Sequence, residues 1–199
     1  MHIAIDGLDG AGKTTTAKYL AEKLGYIFLE NPIYELVGRA GVNCFLEKLE
    51  QINGDLHTDI CAMFYGTGNL YLNHFKQEKN VVTDRHLCST YLWNFNGNNL
   101  PFFDFLVETC GKPNLTVILY AEGLERKRRI MNRVVTDPDL NEDIFSDEKY
   151  KMALEFVKRY NMNYLWLDNT YINVQQSVEI IKKCAVNLCT KYDEGNILK

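Results

Sequence analysis

The sequence predicts an α/β fold with a parallel β-sheet covered by helices on both faces. Three observations predict it. Short apolar runs alternate with helical segments along the whole chain. The first run, "HIAID", leads straight into "GLDGAGKTT" and then into a helix. No repeat, low-complexity tract or linker breaks the alternation, so residues 1–199 are read as a single domain.

The elements follow in order. His2 to Asp6 is a buried strand. Gly12 to Leu24 is a helix, because Ala17, Leu20, Ala21 and Leu24 recur on one face, and Gly25 ends it. Tyr26 to Glu30 is the second strand. Pro32 opens a mostly helical stretch reaching about Gln51. Asp55 to Gln77 is a long helical segment with Gly66 and Gly68 as soft spots. Asn80 to Asp84 is the third strand. Helices around Cys88 to Phe95 and Pro101 to Cys110 are split by the loop "NGNN". Asn114 to Tyr120 is the fourth and clearest strand. The basic helix "GLERKRRIMNRV" follows, then the loop "TDPDLNED". Asp147 to Met162 is helix, Asn163 to Asp168 the fifth strand, and Val174 to Tyr192 the last helix.

Composition excludes several classes. The 199 residues are 46% hydrophobic with a formal charge of −4, enough for a core and without the basic balance of a duplex-binding protein. No nucleic-acid partner is expected. The six cysteines form no C-x-x-C, and His is sparse, so neither a disulfide scaffold nor a zinc site is predicted. Buried free thiols in a reducing cytosol are the expectation. No signal peptide or membrane-length apolar run is read, which predicts a soluble cytoplasmic protein without a membrane partner.

The chemistry begins at "GLDGAGKTT". It matches G-x-x-x-x-G-K-[ST] through Gly7, Gly12, Lys13 and Thr14. Glycines let consecutive N–H groups approach phosphate oxygens, and the next helix aims its positive end at the same anion. The stretch from Gly7 through Gly10, Ala11 and Gly12 to Thr15 is therefore read as a cradle for nucleotide phosphates. Lys13 reaches the β- and γ-phosphates and the Thr14 hydroxyl binds Mg2+. The strand-to-helix setting separates this from a structural glycine turn. A magnesium nucleotide also needs an acid on a neighbouring strand, and Asp84 ends "VVTD". Its bland role is a helix cap, but the adjoining Arg85 and the phosphate loop favour metal binding. Arg85 is placed on the acceptor side. Arg126, Arg129 and Arg133 recur on one side of the basic helix. That side is either a solvated face or a lid that brings arginine to the transferring phosphoryl group.

"GLDGAGKTT" and "TDRHLCST" resemble the phosphate loop and the Asp-Arg-x-x-x-Ser motif of thymidylate kinases. The arginine-bearing segment after the fourth strand, the "LDN" at the end of the fifth and the chain length agree. The resemblance implies a P-loop kinase fold with a central five-stranded parallel sheet, a mobile lid at about 122–145, and ATP and Mg2+ as cofactors. It implies that Asp9 accepts a hydrogen bond from the acceptor sugar, and that Ser89 and Phe64 belong to the acceptor site, Phe64 by stacking on a base. Gly10 in the loop resembles members that supply catalytic arginine from the lid. The family often forms dimers through helices, so a homodimer is an option.

Two positions depart from the pattern. Where thymidylate kinases carry an arginine for the acceptor phosphate, this chain reads "LENPIY", with Glu30. Where they carry a thymine-reading arginine after the Phe, this chain has Gly68. Glu30 raises an alternative, a deoxynucleoside kinase using Glu30 as general base for a sugar 5′-hydroxyl. A nucleoside monophosphate acceptor is preferred, because the phosphate loop and the Asp84-Arg85-x-x-x-Ser89 pattern match. A non-catalytic nucleotide-binding module and a P-loop switch or motor rank lower.

Overall fold

The apolar runs become the strands of one parallel sheet in a computed structural model that describes residues 1–75, 79–132 and 147–193. β1 (His2–Asp6), β2 (Ile27–Glu30), β3 (Val81–Asp84), β4 (Leu115–Tyr120) and β5 (Tyr164–Asp168) stand in the order β2-β3-β1-β4-β5. All four neighbouring pairs are parallel. Parallel neighbours need crossover connections, and the helices supply them: α1 (Lys13–Leu24), α2 (Tyr34–Leu49), α3 (Gly54–Phe75), α4 (Leu87–Asn94), α5 (Leu100–Cys110), α6 (Gly123–Met131), α7 (Glu148–Arg159) and α8 (Val174–Asp193).

Strand periodicity sorts the core into two layers. Ile3, Ile5, Val117 and Leu119 face α1 and α8, where Leu20, Val178 and Ile181 meet them. Ile118 faces the opposite layer, where Tyr91, Phe103 and Phe156 of α4, α5 and α7 pack together. Along β1 the same alternation sends Asp6 toward α4, whose N-terminal turn it caps.

Element boundaries agree with the sequence reading to within a few residues at nearly every end. Gly25 closes α1 in a left-handed conformation, its N–H bonded to the carbonyls of Ala21 and Glu22. Two glycines differ from expectation. A Cβ at Gly66 would sit 3.0 Å from Leu106, and one at Gly68 would sit 2.5 Å from the backbone nitrogen of Ile33. They are close-approach positions that let α3 pack, not weak points of the helix. Cys61, Cys88 and Cys110 are buried free thiols, whereas Cys44 is exposed, contrary to the expectation of burial. Among the described residues no helix is long and apolar enough to cross a membrane.

Candidate active site

The chemistry-bearing residues gather where the chain leaves the carboxyl ends of the strands, the usual place for a ligand in an open α/β sheet. After β1 the phosphate loop turns on Gly7, Gly10 and Gly12, all at positive φ. A Cβ at Gly7 would lie 2.4 Å from the Leu119 carbonyl oxygen. One at Gly10 would lie 2.6 Å from that of Arg126. These glycines therefore let β4 and α6 close on the loop, besides freeing its N–H groups. Gly12 caps α1 without a side-chain hydrogen bond, which leaves the helix's positive end to an anion.

Lys13 is buried and donates to the Leu8 carbonyl at 2.8 Å and to Asp9 Oδ1 at 3.2 Å. Arg85 donates to the same Asp9 oxygen. One carboxylate thus joins the cation of the phosphate loop to the cation that follows β3. Burial pushes the Asp9 carboxyl up, but Lys13 and Arg85 overcome it and hold it far below the usual carboxylate range. Arg85 adopts a left-handed φ of 77, and its N–H donates to Ile5 at 3.0 Å, so β1 fixes where it points.

Beside Lys13, the Thr14 hydroxyl donates to Asp84 Oδ2. The second Asp84 oxygen is buried without a hydrogen-bond partner. A hydroxyl and a half-satisfied buried carboxylate fit a hard divalent cation that keeps water and phosphate oxygens as its other ligands. No group of three or more His, Cys, Asp or Glu side chains forms a free-standing metal site among the described residues.

The basic helix is anchored. Arg126 is 0% exposed. Its Nε donates to the Ala121 carbonyl at 3.0 Å, and its guanidinium lies 5.5 Å from the Tyr150 ring centre. In this conformation it offers no surface to a nucleotide. Arg129 donates to the carbonyls of Ala11 at 3.2 Å, Asn169 at 2.7 Å and Thr170 at 3.1 Å. Asn169 Nδ2 also donates to Ala11, at 2.6 Å. Arg129 and Asn169 therefore clamp the phosphate loop to the ends of β4 and β5. Arg133 and the loop "TDPDLNED" lie outside the described residues.

Glu125 organises this clamp, accepting from Arg128 Nε and Nη2 and from Arg129 Nε, each at 2.7 Å. The Arg128 hydrogen bonds come first; burial works against them, and Arg129 adds to them, so that the carboxyl falls from 4.5 to about 2. A carboxylate depressed in the folded state adds stability that is full above the unfolded value and fades as pH falls through the folded one. Glu125→Gln is expected to lower stability at neutral pH. The gap from the parent protein should close between about pH 4.5 and about 2. Urea melts across that range check it, and a gap constant over the whole range would refute the link.

The residues expected on the acceptor side stand in a second group. Phe64 stacks on Phe45 with ring centres 3.7 Å apart and meets Tyr65 edge-on at 5.4 Å. The Tyr65 hydroxyl is pushed up by burial and by its neighbours Tyr34 and Cys61, with Arg85 pulling the other way. Ser89 is buried and donates to Asp6 Oδ1, as does its backbone N–H at 2.9 Å. It ties α4 to β1 and sits beneath the site. Glu30, level with Asp84 in the sheet, forms an ion pair with Arg39 of α2.

No protein-family model matches the chain. A probable thymidylate kinase of Methanocaldococcus jannaschii is 26% identical over 177 residues, which cover 88% of this chain and 90% of that one. A solved thymidylate kinase from Ehrlichia chaffeensis superposes with a TM-score of 0.63 at 20% identity, covering 92% of this chain and 97% of that one. The chain is thymidylate kinase-like in sequence and fold. A deoxyadenosine kinase from M. mycoides with bound dATP shares this fold equally well, with a TM-score of 0.64 at 20% identity over 92% of this chain and 98% of that one.

Within that thymidylate kinase-like frame, the two departures acquire physical causes. Gly68 leaves no room for an arginine, because the Ile33 backbone fills the space. Glu30 has a cation of its own. Several residues of the site escape a reading of the sequence. Asn169 was visible only as part of "LDN". Asp6 carries the signal of an acid closing a buried strand. Tyr34, Arg39 and Tyr65 come together only through the crossing of α2 and α3.

Proposed function

We propose that the chain transfers the γ-phosphoryl group of ATP to a nucleoside monophosphate. The observation that carries this is Asp9, which bridges Lys13 on the donor side and Arg85 on the acceptor side. Two cations joined by one carboxylate, on a loop built for phosphates, suit a reaction between two phosphate-bearing substrates. The relatives named above are consistent with it.

Phosphoryl transfer asks mainly for positioning and charge stabilisation. The Gly7–Thr15 backbone and the α1 N-terminus hold the donor phosphates. Lys13, released from Leu8 and Asp9, turns to the β- and γ-oxygens. Thr14 and Asp84 would hold Mg2+, which supplies charge neutralisation between the donor phosphates. Asp9, once Lys13 leaves, keeps Arg85 oriented and accepts a hydrogen bond from the acceptor sugar. Arg85 holds the acceptor phosphate. Arg129 and Asn169 keep the loop in register with the sheet, and Arg126 supports Gly10 from behind. Arg133 is the remaining lid arginine assigned to the transition state.

Glu30 favours a second reading, a deoxynucleoside kinase in which it takes the proton of a 5′-hydroxyl. Arg39 engages one Glu30 oxygen only, so the ion pair is compatible with both readings. Glu30→Gln separates them. With a monophosphate acceptor, turnover should stay within about threefold of the parent, whereas loss of a general base lowers it about a hundredfold or more. The measurement is turnover at saturating acceptor. A hundredfold drop would establish Glu30 as the base and reverse the assignment.

A further inference from the structure

The acceptor side as the sequence presents it carries an electrostatic contradiction. A phosphate dianion must settle beside Arg85, and the carboxylate of Glu30 closes the neighbouring strand, level with Asp84. Left alone, Glu30 would repel it. The chain answers with a residue nine positions further on. Arg39 pairs with Glu30, and its guanidinium lies 5.1 Å from the centre of the Tyr34 ring. Glu30 is followed by Asn31, whose N–H donates to the Asp84 carbonyl at 2.9 Å, and Asp84 is followed by Arg85. Through Glu30, Arg39 thus stands beside the strand end that leads into Arg85.

A break in α2 precedes Arg39. Gly38 has φ 66 and ψ 169, a non-helical conformation that splits α2 into two helical pieces. Nothing stands within 4 Å of where its Cβ would be. The glycine therefore answers a need of the backbone and not a lack of space. The residue straight after this break is the one that meets Glu30. Arg39 remains 65% exposed at its side chain, against 28% for Glu30, so part of its donor fork stays available to a ligand.

We propose that Arg39 is the second acceptor-phosphate residue of this chain, turned toward the site by the break at Gly38 and held there by Glu30. A guanidinium carries five donors in a planar fork. It can keep one edge on the Glu30 carboxylate while another holds a phosphate oxygen. Glu30 then acts as an orienting group, and the pair does together what one arginine after β2 does in the pattern this chain departs from. The assignment rests on the monophosphate reading given above and specifies how that reading is met.

A double-mutant cycle tests it, with KM and kcat measured for a nucleoside monophosphate and KM for ATP alongside. Arg39→Ala removes a charge-assisted contact and bares Glu30. It is expected to raise the acceptor KM about tenfold or more, with kcat and the ATP KM each within about threefold. Arg39→Lys should recover part of the loss. Adding Glu30→Gln to Arg39→Ala should also recover part of it, because the repelling charge is gone. An acceptor KM unchanged in Arg39→Ala, in an enzyme that does use monophosphates, would reduce the pair to a surface ion pair and overturn this inference alone. A parent protein that turns over nucleosides and ignores monophosphates would overturn the reading beneath it as well.

Discussion

Lys13→Ala is expected to cut turnover about a thousandfold or more while leaving the fold intact, the scale of removing a preorganised charge from a developing anion. The geometry explains both halves. The Lys13 ammonium is the buried cation of the phosphate loop. Burial and the neighbouring Arg85 push it below the usual ammonium range, with Asp9 and Asp84 working against them. Its present partners are a carbonyl and Asp9, and Asp9 keeps Arg85 when Lys13 is gone. Loss of the head group thus removes charge at the donor phosphates without leaving Asp9 unpaired. Turnover from a steady-state ADP assay, set beside the thermal melt of the variant, separates catalysis from folding. Turnover within about tenfold of the parent would remove Lys13 from the chemistry.

The second large effect is on stability. Gly68→Arg would install the arginine that the thymidylate kinase pattern places there. It is expected to destabilise the protein by about 3 kcal/mol or more, beyond the usual range for overpacking, because the obstacle is backbone. A Cβ alone would lie 2.5 Å from Ile33 N and 2.7 Å from Ile33 Cα, so Gly68→Ala should carry much of the loss. Ile33 precedes α2, and moving it would shift Tyr34 and Arg39. The urea midpoint checks this. A Gly68→Arg protein with the parent's midpoint would mean that α2 yields freely and that an arginine has room after all.

These two positions mark what was legible in the sequence. The phosphate loop could be read because its function constrains consecutive residues, and the strand before it and helix after it carry their own periodicities. Asp84 and Arg85 followed from the end of an apolar run. The parallel sheet follows from the same logic, since each strand's run is short, apolar and separated by helix; the strand order does not. What could not be read depends on which helix meets which. Gly66 and Gly68 looked like weak points because sequence supplies a propensity and not the helix lying across it. Arg126 packs on Tyr150 and Ala121, while Arg129 holds carbonyls of the phosphate loop and of the segment after β5. Arginines used in this way have the same spacing as a stripe that reaches a ligand, and only packing tells them apart. Arg39 was invisible for a third reason. Its partnership with Glu30 depends on a non-helical glycine inside an otherwise helical stretch.

The central claim is that this site joins a nucleotide donor to a monophosphate acceptor. It is tested most directly by supplying ATP and Mg2+ with a panel of nucleosides and nucleoside monophosphates, in ribo and deoxy forms. ADP release is followed, and the product is identified by its phosphorus spectrum. The expected result is ADP formation that depends on a monophosphate and yields a nucleoside diphosphate, and that disappears in Lys13→Ala. ADP formed only with nucleosides, or at the same rate with no acceptor at all, would contradict it.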